Sequence, residues 1–129
     1  VTVSAAQADA FYREVVEGRT VWTIRDDAGI PAPLDPFSEL RAMPFWSREP
    51  RARRVVDTVA AYAGFRVDLP ITLDVWCERW LPGLERDGLL VGVSWSGARA
   101  TGYDTTPADM LRNLTARMPD PAGGGSTSA

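Results

Sequence analysis

The chain has 129 residues, a formal net charge of -3 and an apolar share of 45%, enough to build one hydrophobic core without metals or disulfides. It contains no histidine, and all 14 of its basic residues are arginine, which removes histidine-based triads, histidine-ligated metals, Schiff-base catalysis and the lysine of a phosphate-binding loop. Cys77 is the single cysteine, so neither an internal disulfide nor a CxxC metal site is available, as suits a reducing compartment.

Ser4 and Gln7 read as a capping box, and Ala8, Phe11, Tyr12, Val15 and Val16 recur at helical spacing up to Gly18, a left-handed stop. Asp9 and Arg13 sit one turn apart on the outer face of that helix. Thr20 to Asp26 alternates and is rich in β-branched and aromatic residues, so it predicts a strand, with Trp22 and Ile24 on the core face and a turn at Asp26 to Gly29. "IPAPLDPF" holds three prolines in eight residues and predicts a surface loop or edge. Met43 to Ser47 predicts a short buried strand, after which Ser47 caps a helix with Pro50 in its first turn. That helix turns Ala52, Val55, Val56, Val59 and Tyr62 inward and stops at Gly64.

Phe65 to Ile71 alternates cleanly and ends near Pro70, as an edge strand would. Thr72 caps a third helix whose stripe of Leu73, Trp76, Cys77, Trp80, Leu81 and Leu84 keeps the helical period, with a kink or a fresh turn expected at Pro82. Leu89 to Trp95 is apolar at nearly every position and predicts a central strand. Ser96-Gly97 predicts a short hairpin into "ARATGYD". Thr106, Pro107 and Asp109 open a last helix with Met110, Leu111, Leu114 and Met118 inward. Together these elements predict an α+β fold: a mainly antiparallel sheet of four or five strands packed by about four helices, as a single domain over residues 1–118. Residues 119–129, "PDPAGGGSTSA", predict a disordered tail.

"FYREVVEGRTVWTIRDDAG", "MPFWS", "ERWLPGLERDGLLVGVSW" and "ATGYD" resemble the bacterial family catalogued as domain of unknown function 2750, from about Ser4 to Arg112. The tryptophan-leucine-proline-glycine stretch ahead of an aspartate-glycine pair is the most specific element. The resemblance implies a freestanding bacterial, cytoplasmic protein, and it carries no activity and no functional residue with it.

Gly83, Gly88, Gly92 and Gly97 evoke a phosphate cradle, but such a loop runs from strand through glycine into helix. Here Gly88 follows a helix and precedes a strand, as a helix cap does. Asp26 with Asp27, and Glu85 with Asp87, read as turn and solvated surface. Cys77, on an apolar stripe, reads as a structural thiol. The densest charge run is Arg48, Arg51, Arg53 and Arg54, where Arg53 can pair with Asp57 and where Arg51 and Arg54 share a face. Trp76 and Trp80 belong to the core. Trp46 and Trp95 lie next to a cap and a turn, and exposed together beside Arg48 they would make an aromatic and cationic patch, the residue types that dominate binding hot spots.

The candidate site is therefore Trp46, Arg48, Arg51, Arg54 and Trp95, read as a contact surface for a protein or a small anionic ligand. No catalytic residue, metal or cofactor is assigned. The acidic total argues against nucleic acid, and no apolar run reaches membrane-spanning length. The function expected is a non-catalytic binding or interaction module. The alternatives are a small metal-independent hydrolase or isomerase using carboxylates and arginine, which requires two carboxylates to converge with a tyrosine or an arginine in a pocket, and an immunity or regulatory partner protein.

Overall fold

In the computed structural model, which describes residues 3–35, 38–97 and 99–119, helix α1 (Val3–Gly18) leads into strand β1 (Thr20–Arg25). The helix already contains Ser4, so it begins upstream of the expected cap. Its left-handed stop is Arg19 (φ 53°) rather than Gly18, with the Arg19 N–H donating to the Val15 carbonyl at 2.7 Å. Gly18 instead leaves room for the Arg48 guanidinium, from which a Cβ would lie 3.2 Å away. The Asp26–Gly29 turn forms as read, with Asp26 Oδ1 accepting from the Ala28 N–H at 2.9 Å. Pro36 and Phe37, at the end of the proline-rich stretch, and residues 120–129 of the expected tail lie outside the described residues.

Strand β2 (Ala42–Phe45) precedes helix α2 (Glu49–Thr58), which is followed by a short 3-10 turn (Ala60–Tyr62) and strand β3 (Arg66–Thr72). The N-cap of α2 is Arg48, without a side-chain capping bond. Ser47 does not cap; its hydroxyl instead donates to Glu14 at 2.7 Å. Helix α3 runs as Leu73–Val75, a π turn Trp76–Trp80 and Leu81–Arg86. Pro82 explains the π turn, because proline lacks the N–H for the carbonyl four residues back and its ring crowds that carbonyl. The Leu81 N–H reaches back to Trp76 instead, and the helix continues. It ends as predicted at Gly88 (φ 73°), with the Leu89 N–H closing onto the Leu84 carbonyl at 2.9 Å. Strands β4 (Leu90–Ser96) and β5 (Thr101–Thr105) and helix α4 (Pro107–Arg117), capped by Thr106, complete the chain.

The architecture is α+β, with antiparallel β1 and β3 in one sheet and β2-β4-β5 in another, β4 in the centre. The one departure from antiparallel order is β2 beside β4, which is parallel from Ala42↔Leu90 to Phe45↔Val93. A single antiparallel bridge, Trp22↔Trp46, joins the sheets through two hydrogen bonds of 2.8 Å. The residue two before Trp46 is Pro44, which has no N–H to extend that ladder. Its carbonyl is taken by the hydroxyl of the fully buried Thr23 at 2.8 Å.

Two hydrophobic clusters fill the interior. The first gathers Phe11, Val15, Phe45, Trp76, Leu81, Val91, Val93, Met110 and Leu114 from α1, α3, α4 and the sheets. The second gathers Ile24, Ala42, Trp46, Ala52, Val55, Val59, Val67 and Trp95 around α2. Leu111, expected inward, is 38% exposed. No helix of the described residues is long and apolar enough to cross a membrane.

Candidate functional site

A kink in the central strand builds the site. Val91 and Val93 of β4 point into the first cluster, and strict alternation would send Trp95 the same way. Instead the register shifts between Val93 and Ser96, with Ser94 left-handed at φ 51°. That bulge turns Trp95 into the second cluster. The ring has room there because two neighbouring residues lack side chains. A Cβ on Gly92 would fall inside the indole, and one on Gly102 would lie 3.0 Å from its Cδ1.

Both indoles then find acceptors. Trp46 Nε1 donates to the Trp95 carbonyl at 2.8 Å, and Trp95 Nε1 donates to Asp104 Oδ1 at 2.9 Å. Only 1% of Trp46 and 6% of Trp95 remain exposed. The exposed aromatic patch expected from the sequence is therefore absent; two large rings gain more by burial with satisfied N–H groups than they would at the surface.

The two rings nevertheless stand behind a cleft of about 680 Å³, whose lining includes Gln7 and Ala10 of α1, Arg51, Arg54, Val55 and Thr58 of α2, and Ser94, Ser96 and Gly97 at the end of β4. Its size suits a small molecule. Arg48 is not part of it: its guanidinium pairs with Glu17 at 3.0 Å. The structure thus brings together four of the five predicted residues, Trp46, Arg51, Arg54 and Trp95.

The two arginines differ. Arg51 grips Glu14 with both terminal nitrogens, at 2.5 and 3.1 Å, and this, with the Ser47 hydroxyl, holds the Glu14 carboxyl below its ordinary pKa. Arg53, expected to pair with Asp57, pairs with Glu49 at 2.6 Å. Among the described residues, Arg54 has no ion pair. It is the uncommitted cation of the cleft.

A second cleft, of about 480 Å³, touches Trp95 as well. It is lined by Leu34, Asp35, Tyr62, Arg99, Thr101, Gly102 and Asp104, among others. Burial, and then the Asp35 charge, raise the Asp104 carboxyl above its ordinary pKa, while the Trp95 indole opposes the shift. Sequence reasoning missed this group, whose members fall on two loops, a 3-10 turn and a strand without shared spacing. Cys77, half-buried on α3, has its thiol pushed up to about 11 by burial and by Asp74 and Glu78, which fits the structural role read for it. Among the described residues, no three acidic or thiol groups gather as a metal site requires.

The family model for "Protein of unknown function (DUF2750)" matches residues 8–114. The chain belongs to the DUF2750 family. The matched span of this DUF2750 chain holds both clefts except for Gln7, which contributes to the first. The chain matches no curated protein and no solved structure.

Proposed function

We propose that this DUF2750 protein is a non-catalytic binding module of the bacterial cytoplasm whose Arg54 cleft receives an anionic group. One observation carries the reading: Arg54 is the one arginine of α2 without a carboxylate partner among the described residues, and it borders a cleft backed by two buried indoles. An arginine fork binds a carboxylate through two parallel hydrogen bonds, and an apolar wall behind it lowers the local dielectric and strengthens them. Among the described residues, the lining carries hydroxyls and a glutamine amide but no carboxylate to act as a base, which favours holding a ligand over transforming one.

The anionic group can belong to a small carboxylic acid, to a free phosphate or to an acidic segment of a protein, and three probes separate these sources: benzoate, inorganic phosphate and a hexaglutamate peptide. Titration followed by the indole N–H resonances of Trp46 and Trp95 is expected to saturate with at least one of them. Arg54→Gln should weaken that binding about tenfold, the loss of one charge-assisted contact. Arg53→Gln, which breaks a pair with Glu49, should leave it unchanged. Equal affinities for the two variants, or no saturation with any probe, would overturn the reading.

A further inference from the structure

The cleft across Trp95 has the opposite chemistry. Its carboxylate Asp104 is half-buried, accepts a hydrogen bond from one neutral donor and, among the described residues, meets no arginine within ion-pair distance. Nine other carboxylates, Asp9, Glu14, Glu17, Asp27, Glu49, Asp68, Asp74, Asp87 and Asp109, do have an arginine partner. Burial raises the Asp104 carboxyl above its ordinary pKa, so withdrawing it from water costs free energy that no counter-ion among the described residues returns.

Two aromatic residues, Trp95 and Tyr62, line the same cleft. Their faces attract cations most strongly where water is excluded. Gly102 is the bare residue against which Trp95 is seated, since a Cβ there would lie 2.7 Å from the Val93 carbonyl oxygen and 3.0 Å from the Trp95 ring. Arg99 borders the cleft without pairing with Asp104, so the protein's own cation does not fill the place.

We propose that this second cleft binds an organic ammonium group, with Asp104 as its counter-ion and Trp95 and Tyr62 as its aromatic walls. The site is independent of the anion cleft and stands or falls without it. Asp35 adds negative charge to the same cleft, and Arg99 opposes a bare cation, which sets the sign of each arm of the test.

The probe is n-butylammonium, with butyrate of the same length as the contrary charge, and the readout is the Trp95 indole N–H and the Asp104 carboxyl resonance during titration. Butylammonium is expected to saturate and butyrate to leave the Asp104 carboxyl resonance in place; because Trp95 also lines the Arg54 cleft, butyrate is titrated against Arg54→Gln, so that a carboxylate bound there does not move the indole signal. Asp104→Asn retains an oxygen to accept from Trp95, so the wall persists while the charge goes, and affinity should fall at least about tenfold. Arg99→Gln should tighten binding several-fold by removing a like charge. With Asp35, Asp104, Tyr62 and Arg99 facing the ligand, affinity should drop as the pH falls through the Asp104 pKa, and Asp104→Asn should flatten that profile. The proposal is overturned if butyrate moves the Asp104 carboxyl resonance as strongly, if Asp104→Asn titrates like the parent, if Arg99→Gln weakens binding, or if butylammonium does not saturate.

Discussion

Trp76 and Trp46 are sealed equally, at 0% and 1% exposed, and are held in opposite ways. Trp76 sits edge-on to Phe11 and Phe45, with ring centroids 6.1 and 5.1 Å away, and its N–H has no partner among the described residues. Trp46 gives its N–H to a strand carbonyl and locks onto Trp95. The first arrangement needs only shape and apolar area. The second needs particular atoms in particular places, and both clefts open beside it. Packing alone makes a core here, whereas directed hydrogen bonds make a core that can border a ligand.

That contrast can be broken most directly at Gly92. Gly92→Ala drives a methyl into the Trp95 ring and is expected to cost about 3 kcal/mol in urea unfolding, as overpacking does. A loss below about 1 kcal/mol would show that the indole is not wedged there. The next test pairs two identical changes. Trp46→Phe and Trp76→Phe remove the same volume, but only the first strands a buried carbonyl, so it should cost about 2 kcal/mol more. Equal costs would erase the distinction between the clusters.

A smaller effect of opposite sign is expected at Ser94, whose left-handed backbone and buried, unpartnered hydroxyl are both unfavourable. Ser94→Gly should stabilise the fold by about 1 kcal/mol, read as a higher denaturation midpoint. The smallest effect concerns the tie between α1 and α2. Because the Glu14 pKa is lowered in the folded state, its contribution is present above the unfolded value and fades as the pH falls through the folded one. Glu14→Gln should therefore lose somewhat under about 1 kcal/mol at neutral pH, and the gap from the parent should close in acid. A gap that stays constant with pH would assign the loss to packing rather than charge.

The first cluster was largely legible in the sequence. Leu73, Trp76, Leu81 and Leu84 announce themselves by helical spacing, and the Thr72 and Thr106 hydroxyls cap where the pattern says they should. In the second cluster Ile24, Ala52, Val55, Val59 and Val67 fall inward as their spacing predicts, but its two tryptophans were not legible. Ser94 inserts one residue into an alternating strand and reverses the face of Trp95, an effect invisible to a period of two. Ser47 has a capping residue's identity, but its hydroxyl donates to Glu14, 33 positions away, and accepts from the Arg51 guanidinium instead of from a backbone N–H. The parallel pairing of β2 with β4 leaves no turn signal, since the strands are separated by α2, β3 and α3. The shared face of Arg51 and Arg54 could be read from helical spacing. That Arg51 is spoken for and Arg54 is not depends on Glu14, and only the packing of α1 against α2 reveals it.

The Trp22–Trp46 bridge has a consequence for how the molecule comes apart. Two backbone hydrogen bonds, with the Thr23 hydroxyl beside them, are the direct hydrogen bonds between β1 and β2, whereas each neighbouring pair of strands is stitched along most of its length. Such a seam is where partial opening begins, because few contacts must be given up at once. The amides of Trp22 and Trp46 are accordingly the natural clocks for that motion. Since Trp46 also backs the Arg54 cleft, any ligand that braces its ring will slow deuterium uptake on both sides of the seam.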